Sequence, residues 1–359
     1  MRILVLSIVP SPYQRDLFGA LSRHPEIDLT VCYSEAGSPD SPWPKAELRP
    51  FESVFRSFYL SWKGKRFIVN LQLPSARGYD AVVVNGYVTI PSQWILRTTA
   101  GKVPLVFWGE KMEHAQGGLR EFVQGILTKP LRRVEAIVAI GKKAARDYRQ
   151  QFPGMPVHEV PYYCSLDGFK PVKSNYPETP ATILFCGQMI ERKGVDLLLK
   201  AFQKVIESGL KAKLLLVGRE AELPQMLKEI PEEVLDHVEF AGFQAPESLP
   251  EFFERADIFV LPSRYDGWGV VVNQALAAGL AVICSDAVGA AEDLVIPDWN
   301  GYIFRNGETQ QLADQLCDLL KAPGTIRLFS DNSVAKSREI TPAQGAEDWV
   351  KILKEVTGS

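Results

Sequence analysis

The feature that most constrains the fold of this chain is a repeated alternation of short apolar runs with segments of helical periodicity. The runs Ala-Val-Val-Val at 81–84 and Leu-Leu-Leu-Val at 214–217 are apolar at every position, which is typical of strands buried on both faces of a parallel sheet. The stretch 195–206 has apolar residues three and four apart, which predicts a helix with one buried face. The alternation therefore predicts an α/β fold with doubly wound parallel sheets.

The alternation breaks at residues 166–180, where proline, glycine and charged residues replace the periodic pattern. The 359 residues also exceed the size of one core, since single cores stop growing near about 250 to 300 residues. We therefore predict a domain at 1–165, a linker at 166–180 and a second domain at 181–340. Twelve strands are predicted, at 2–8, 27–33, 80–85, 104–108, 136–140, 157–160, 181–186, 213–217, 236–241, 257–261, 281–285 and 301–304.

Two such domains, joined once, are expected to face each other across a cleft. Open α/β sheets bind ligands at the carboxyl ends of their strands, so the functional residues are expected in the loops that follow the strands.

The composition is that of a folded globular protein, with 46% hydrophobic and 23% charged residues. The five cysteines form no C-x-x-C pair, which favours a reducing compartment. The apolar run 3–9 is too short for a signal peptide, and no run approaches the ~18 apolar residues of a membrane span. These patterns predict a cytoplasmic protein.

The charge is unevenly divided along the chain. Residues 1–165 contain 21 Lys+Arg and 14 Asp+Glu, a net charge of +7, whereas the remainder carries −10. A basic half can attract anionic lipid headgroups, phosphorylated substrates or nucleic acid, although a merely uneven surface is an equal alternative.

The loop after the strand 181–186 has the composition of an anion site. Gly187 permits close backbone approach, and Arg192 and Lys193 directly precede the amphipathic helix. Adjacent cations at the positive end of a helix dipole suit a phosphate, although such residues more often form a solvated helix start.

The stretch 261–279 combines a carboxylate, glycines and the start of a helix. Asp266 can bind sugar hydroxyls, while Gln274, placed two helical turns further on, can bind a second polyol such as a ribose. The residues between them that offer backbone N–H groups to a ligand are Gly267, Trp268, Gly269 and Val270. The alternative is a tight turn at the glycines, with Trp268 packed in the core.

These two stretches, together with 238–243, 256–263 and 285–295, resemble the C-terminal domain of group 1 retaining glycosyltransferases of the family four type, which have the GT-B fold. The match in order and spacing extends over residues 181–304. The N-terminal half is more loosely similar, through 8–15 and 163–171. The resemblance implies that the final segment, 341–359, is a helix that packs back on the N-terminal domain.

The resemblance also implies residue roles on the donor side. Lys193 matches the lysine that binds the donor diphosphate, while Gln188 occupies the place of the usual arginine, so Arg192 is expected to supply the second charge. Asp266 matches the acidic residue that contacts the donor sugar, and Gln274 occupies the place of the acidic residue that contacts the ribose. Gly187 and Phe243 complete the expected donor site.

On the acceptor side, Glu110 is the predicted catalytic residue of the N-terminal domain, since it follows the strand 104–108 where many relatives have a histidine. His114 is the alternative, although a lone loop histidine is more often solvated. Tyr13 and Arg15, in the segment similar to the family's first loop, are the other expected acceptor-side residues.

No metal or cofactor is expected. The sequence has no Asp-x-Asp motif and no cluster at metal-ligand spacing, so Arg192 and Lys193 must neutralise the leaving diphosphate. The sequence also lacks a G-x-S-x-G motif, a Walker loop and a G-x-G-x-x-G motif after its first strand, which excludes a serine hydrolase, a P-loop NTPase and an ordinary dinucleotide oxidoreductase.

Residues 51–70 contain several aromatics among cations, and 119–133 adds further basic residues. Such segments can dock on a membrane interface. The alternative interpretation of 51–70 is a core-facing helix with a solvated basic edge.

The sequence therefore predicts a retaining, metal-independent glycosyltransferase that moves a sugar from a nucleotide-diphosphate sugar to a glycan or lipid-linked acceptor, in the synthesis of cell-surface polysaccharide or glycolipid. The alternatives are an isomerase of the sugar-nucleotide 2-epimerase kind and a non-catalytic sugar-nucleotide-binding protein. Nucleic acid is not an expected partner. Peripheral association with the inner face of an anionic membrane is left open.

Overall fold

The computed structural model describes residues 1–37, 47–62, 65–112, 117–171 and 180–358, with the main chain alone for 61–62 and 65–67. The chain divides into two compact units, one formed by Met1–Ser165 with Thr341–Ser359 and the other by Leu166–Ile340. Residues 172–179 of the predicted linker lie outside the described residues.

The first unit alternates strands and helices. Its elements before residue 165 are β1 (Arg2–Ser7), α1 (Pro12–Arg23), β2 (Asp28–Tyr33), β3 (Glu52–Val54), β4 (Ser57–Trp62), β5 (Lys65–Asn70), β6 (Ala81–Asn85), α2 (Ile90–Thr98), β7 (Leu105–Gly109), α3 (Gly118–Thr128), β8 (Ala136–Ile140), α4 (Gly141–Gln151) and β9 (Val157–Val160). Within the described residues, seven strands form a parallel sheet in the order β3-β2-β1-β6-β7-β8-β9, while β4 and β5 form a separate antiparallel hairpin.

The second unit repeats this architecture. Its elements are β10 (Ala181–Cys186), α5 (Val195–Glu207), β11 (Ala212–Val217), α6 (Leu223–Leu227), α7 (Glu232–Leu235), β12 (Val238–Gly242), α8 (Leu249–Glu254), β13 (Ile258–Leu261), α9 (Val271–Ala277), β14 (Ala281–Ser285), α10 (Ala291–Leu294), β15 (Gly301–Phe304), α11 (Thr309–Lys321) and α12 (Pro323–Ser337). Six strands of its described part form a parallel sheet in the order β12-β11-β10-β13-β14-β15.

The central strands of both sheets are buried on both faces, as their unbroken apolar sequences require. Every residue of β8 and of β14 is buried. The predicted α/β fold with parallel sheets is therefore confirmed.

The last helix, α13 (Pro342–Thr357), belongs to the first unit. Thr341 caps it by accepting a hydrogen bond from the Gln344 N–H. Its Trp349 ring packs edge-on against Trp108 of β7, with 5.2 Å between the ring centroids. The apolar face of α13 thus closes one side of the first sheet.

All twelve predicted strands are observed, within about two residues at each end. The helical interpretation of 51–70 is wrong, because this stretch contains β3, β4 and β5. Its aromatic and β-branched residues favour strands, and two six-residue strands that lie close together in the sequence can pair locally. None of the helices within the described ranges is long and apolar enough to cross a membrane.

Candidate active site

The loop that follows β10 lies against the loop that follows β11. The Gly187 N–H donates to the Val217 carbonyl over 2.9 Å. Gly218 has a φ of 138°, and a Cβ there would lie 1.8 Å from the Gly187 carbonyl oxygen, so a side chain at Gly218 would force the loops apart. Gln188 is exposed beside this contact.

The two predicted cations lie in a short 3₁₀ turn, Glu191–Lys193, just before α5. Gly194 ends the turn with a φ of 71°, and a Cβ there would lie 2.0 Å from the Pro262 carbonyl oxygen. The turn is therefore packed closely against the end of β13. Arg192 is exposed at its base, where its guanidinium donates to the Tyr265 carbonyl over 2.9 Å.

The structure pairs Lys193 with Asp266, although 73 residues separate them in the sequence. The Lys193 Nζ lies 2.5 Å from the Asp266 Oδ2, and the two side chains are only 19% and 12% exposed. Burial raises the pKa of the adjacent Cys186 thiol to about 12, even though the Lys193 charge acts to lower it.

Asp266 is held in place by the segment that follows β14. Its N–H donates to the Ala287 carbonyl over 3.3 Å, and its own carbonyl accepts from the Gly289 N–H over 3.0 Å. A Cβ on Gly289 would lie 2.0 Å from the Gly267 carbonyl oxygen, so glycine permits this approach. The carboxylate therefore lies beside the carboxyl ends of two neighbouring strands, β13 and β14.

The prediction that Asp266 and Gln274 lie on one helix, two turns apart, is wrong. Helix α9 begins only at Val271, because Asp266 forms a bridge with Val288 in the segment after β14 and Gly269 has a φ of 91°, which is not helical. Gln274 is half-buried in α9. The eight-residue spacing therefore does not fix the distance between the two side chains.

The side chain of Trp268 is part of the core of the second unit. It is 1% exposed, and its Nε1 donates to the buried Asn273 Oδ1 over 3.0 Å. The indole therefore offers no surface to a ligand, as the alternative sequence interpretation expected. The neighbouring Gly269 and Val270 remain partly exposed.

Arg264 holds the cation-bearing turn in position, and the sequence interpretation missed it. Its guanidinium donates to both carboxylate oxygens of Asp196, over 2.7 and 2.6 Å, and to the Glu191 carbonyl. Its N–H donates to the Arg192 carbonyl over 2.8 Å. Burial raises the pKa of Asp196, but the hydrogen bonds and charge of Arg264 outweigh it and keep that pKa below its ordinary value. The signal available in the sequence was the position of Arg264 two residues before Asp266.

Phe243, after β12, is 54% exposed. The guanidinium of Arg219 lies over its ring, 5.5 Å from the centroid. This pair offers a flat, cationic surface at the same edge of the sheet as the cation-bearing turn.

In the first unit, Glu110 follows β7 and is held by two tyrosines. The Tyr162 hydroxyl donates to Glu110 Oε1 over 3.0 Å, and the Tyr148 hydroxyl donates to the Glu110 carbonyl over 2.7 Å. Burial, and then the Glu110 charge, raise the pKa of Tyr162 well above its ordinary value. Tyr162 is therefore a neutral donor at physiological pH, and it orients the carboxylate.

A chain of neutral polar groups lies at the carboxyl ends of neighbouring strands of the first sheet, and the sequence interpretation missed it as well. The Ser7 hydroxyl donates to Gln14 Oε1 over 2.9 Å, and Gln14 Nε2 donates to Asn85 Oδ1 over 3.0 Å. Asn85 Nδ2 then donates to the Trp108 carbonyl over 3.2 Å. Ser7 and Asn85 are the last residues of β1 and β6, and Trp108 is the second-last residue of β7. Gln14, in α1, connects Ser7 with Asn85, so the polar groups share one edge of the sheet.

The remaining acceptor-side predictions have different outcomes. Tyr13 is partly exposed in the first turn of α1. Arg15 is already engaged, since its guanidinium binds both oxygens of the buried Glu52, over 2.9 and 2.7 Å. Burial raises the pKa of Glu52, but the hydrogen bonds from Arg15 and its neighbours outweigh burial and lower it. His114 lies outside the described residues.

No group of three or more His, Cys, Asp and Glu side chains in the described part of the chain is arranged to hold a metal ion.

The comparisons with known proteins agree on one class of protein. Residues 168–335 match the family model described as glycosyl transferases group 1. A phosphatidyl-myo-inositol mannosyltransferase from Mycobacterium leprae is 27% identical over 274 residues, which cover 74% of this chain and 68% of that protein. A GDP-mannose-dependent monoacylated alpha-(1-6)-phosphatidylinositol monomannoside mannosyltransferase from Corynebacterium glutamicum is 26% identical over 53% of this chain and 54% of its own length.

Solved structures share the fold. Sucrose-phosphate synthase from Thermosynechococcus elongatus superposes over the whole of both chains, with a TM-score of 0.76 at 18% identity. HepE from Anabaena in complex with UDP superposes over 99% of this chain and all of its own, with a TM-score of 0.74 at 16% identity.

The fold is therefore that of GT-B glycosyltransferases, as predicted. Residues 168–335, nearly the whole second unit, match the group 1 glycosyl transferase family, and the predicted resemblance to that family is confirmed. The relatives bear the names of glycosyltransferases, which also confirms the predicted enzyme class.

Proposed function

We propose that this chain is a retaining glycosyltransferase that moves a sugar from a nucleoside diphosphate sugar to a lipid-linked or glycan acceptor without a divalent metal. The observation that carries the proposal is the Lys193–Asp266 pair beside the exposed Arg192, in the group 1 glycosyl transferase domain. The cations suit a diphosphate, and the carboxylate suits the hydroxyls of the attached sugar.

In the proposed reaction, the bond between the sugar carbon and the diphosphate oxygen breaks while an acceptor oxygen forms a new bond to that carbon. Arg192 and Lys193 stabilise the negative charge that develops on the leaving diphosphate. The departing phosphate oxygen takes the acceptor proton, so the step needs no separate base. Retention of configuration is the outcome that the family resemblance implies.

The donor is proposed to lie along the carboxyl edge of the second sheet. The diphosphate would displace the Lys193 ammonium from Asp266, which frees the carboxylate for the sugar. Gln274 would bond the ribose, and Gln188 would lie beside the diphosphate, at the position where the family resemblance implies an arginine. The ring of Phe243 would stack on the base, supported by Arg219. The UDP complex of HepE supports a nucleotide ligand for this fold.

The acceptor is proposed to bind the first unit. Glu110, oriented by Tyr162, would accept a hydrogen bond from an acceptor hydroxyl. The neutral groups Gln14 and Asn85 would add donors and acceptors suited to a polyol. The names of both phosphatidylinositol mannosyltransferase relatives support a lipid-linked acceptor. With such an acceptor, the enzyme would act at a membrane surface and take its nucleotide sugar from the cytoplasm.

The proposal is tested by screening nucleoside diphosphates and their sugars for thermal stabilisation of the protein. A ligand at 100 times its dissociation constant stabilises by about 2.7 kcal/mol. The stabilising donor is then incubated with lipid and glycan acceptors, and NMR of the product gives the anomeric configuration. An inverted product would refute retention. Isomerised donor without transfer would identify an epimerase-like enzyme, and binding without turnover would identify a non-catalytic protein.

Metal independence is tested in the same assay. Activity should persist after EDTA treatment, because protein cations neutralise the diphosphate in place of a metal. Complete loss of activity, restored only by magnesium or manganese, would contradict this part of the proposal.

A further inference from the structure

Helix α3 presents an apolar face to solvent. Leu119, Phe122, Val123 and Ile126 are spaced i, i+3, i+4 and i+7, so they share one side of the helix. Their exposed fractions are 77%, 66%, 43% and 46%. None of the eleven residues of α3, all of which the structure describes, is buried. An ordinary surface helix turns such a stripe toward the core.

The polar side of α3 is the side that is attached to the first unit. Gln124, opposite the apolar stripe, donates through its Nε2 to the Tyr87 hydroxyl over 3.2 Å. Gln93 of α2 donates through its Nε2 to the Leu127 carbonyl over 2.9 Å. Hydrogen bonds therefore hold α3 in the reverse of the usual orientation, and its apolar face stays outward.

Exposed apolar side chains continue onto the adjoining elements. Ile90 and Trp94 of α2 are 42% and 43% exposed. Helix α2 packs against β5 and against the turn Lys129–Arg133 that follows α3. Of the 17 large apolar side chains that are exposed in the described residues, 13 belong to the first unit. The excess is therefore a property of this unit and not of the whole surface.

Exposed cations lie in and directly after α3. Residues 118–133 contain Arg120, Lys129, Arg132 and Arg133 against a single carboxylate, Glu121, and all five are exposed. The sequence up to residue 165 has a net charge of +7. A second copy of the chain would bring the same cations together, so like-charge repulsion disfavours an isologous dimer through this surface. Anionic lipid headgroups have the complementary charge, and the acyl chains beneath them suit the apolar side chains.

We propose that the outward face of α3, formed by Leu119, Phe122, Val123 and Ile126 and extended by Ile90 and Trp94 of α2, docks on the surface of an anionic lipid bilayer. The apolar and aromatic side chains enter the interfacial region while the cations contact headgroups. Docking would bring the protein to a lipid-linked acceptor, so the purpose of this face rests on the proposed function. The binding itself is measured without donor or turnover.

The test is sedimentation of the full chain with vesicles of phosphatidylcholine alone or with about one third phosphatidylglycerol. Replacing Leu119 and Phe122 together by Gln should lower the partition coefficient on anionic vesicles at least about tenfold, because two apolar contacts are lost. The matched control is Leu328→Gln, since Leu328 is 54% exposed in the second unit. That variant should bind as the wild type does.

A second variant tests the cations. Lys129→Gln with Arg133→Gln should weaken binding to anionic vesicles by about tenfold and leave the weaker binding to neutral vesicles unchanged. Arg132 is kept, because its guanidinium stacks on the Phe152 ring.

The proposal would be overturned if the wild type bound neither kind of vesicle. It would also be overturned if the Leu119 and Phe122 variant bound anionic vesicles as strongly as the wild type. Dimerisation that this variant abolishes, without vesicle binding by the wild type, would assign the face to a second copy and would overturn it too. Nucleoside diphosphate affinity is measured in solution on the same variants. Retained affinity with lost vesicle binding is the expected result, because the substituted residues lie in the first unit and the proposed donor site lies in the second. Nucleoside diphosphate affinity without vesicle binding by the wild type would overturn the docking face and leave the proposed donor site standing.

Discussion

The two units have the same parallel-sheet architecture, yet they differ in the groups that lie at the carboxyl edges of their sheets. In the second unit, that edge carries charge, with the Lys193–Asp266 pair beside the exposed Arg192. In the first unit, it carries neutral groups such as Gln14 and Asn85, with Glu110 as the carboxylate.

One architecture can therefore serve two chemically unlike ligands. Phosphate requires fixed cations, whereas a polyol is bound by amides, hydroxyls and single carboxylates. The sheets position both sets of groups, and the side chains of the loops after the strands determine which ligand each edge can bind. The predictions below test whether the two edges are chemically distinct.

The largest expected effect comes from the carboxylate of the second unit. Asp266→Ala should lower kcat/KM for transfer by about 10²- to 10³-fold, because a contact to the reacting sugar is lost. Affinity for the nucleoside diphosphate should be retained or rise, since Lys193 no longer has an anionic partner. Calorimetry and a transfer assay measure the two quantities. The control is Glu251→Ala, since Glu251 is exposed. Full transfer activity in Asp266→Ala would show that Asp266 does not contact the reacting sugar.

The second prediction compares the arginine–carboxylate pairs of the two units. Arg15→Ala should lower the free energy of unfolding by about 3 kcal/mol, because Glu52 has a fully buried side chain and would keep an uncompensated charge. Arg264→Ala should cost only about 1 kcal/mol of stability, since Asp196 is 23% exposed. Urea denaturation measures both, and equal losses would contradict the comparison.

The same pairs predict the pH dependence of stability. The pKa values of Glu52 and Asp196 are both lowered by folding, so their contributions are complete above the unfolded values of about 4. They are lost as the pH falls through the lower folded values. The free energy of unfolding should therefore fall below about pH 4 in the wild type and less steeply in Arg15→Ala.

The third prediction concerns the cations of the second unit. Replacing Arg192 and Lys193 together by Ala should weaken nucleoside diphosphate binding by about 100-fold, given about 1.5 to 3 kcal/mol for each charged hydrogen bond and the Asp266 contact that Lys193 gives up. Titration calorimetry measures the change, with the exposed Lys321→Ala as the control. Unchanged affinity would place the diphosphate elsewhere.

The smallest expected effect is a gain. Gln274→Glu should raise donor affinity by about 1 kcal/mol, because a neutral hydrogen bond to the ribose becomes charge-assisted. The same variant should not change the affinity for inorganic diphosphate, which lacks a ribose. If the affinity rose for both ligands, or for neither, Gln274 would not be the residue that contacts the ribose.

Much of the architecture was determined by the sequence alone. Unbroken apolar runs such as those of β8 and β14 have a stable place only inside a parallel sheet with both faces covered, so their positions were predictable. The segments around Lys193 and Asp266 were also identifiable as candidate site loops, because they directly follow such runs and contain glycine and charge. Local composition was sufficient for these conclusions because burial imposes a simple rule on each residue.

The tertiary structure alone decided how those groups are arranged. Lys193 and Asp266 meet because β10 and β13 are neighbours in the sheet, although 73 residues separate the two side chains. Asp266 forms a bridge with Val288 in the segment after β14, and the Trp268 carbonyl accepts from the Ala290 N–H. These long-range contacts prevent the helix from starting before Val271. The outward orientation of the apolar face of α3 likewise depends on hydrogen bonds to residues of other elements. Such contacts depend on strand order and packing between distant parts of the chain, and local periodicity carries no information about them.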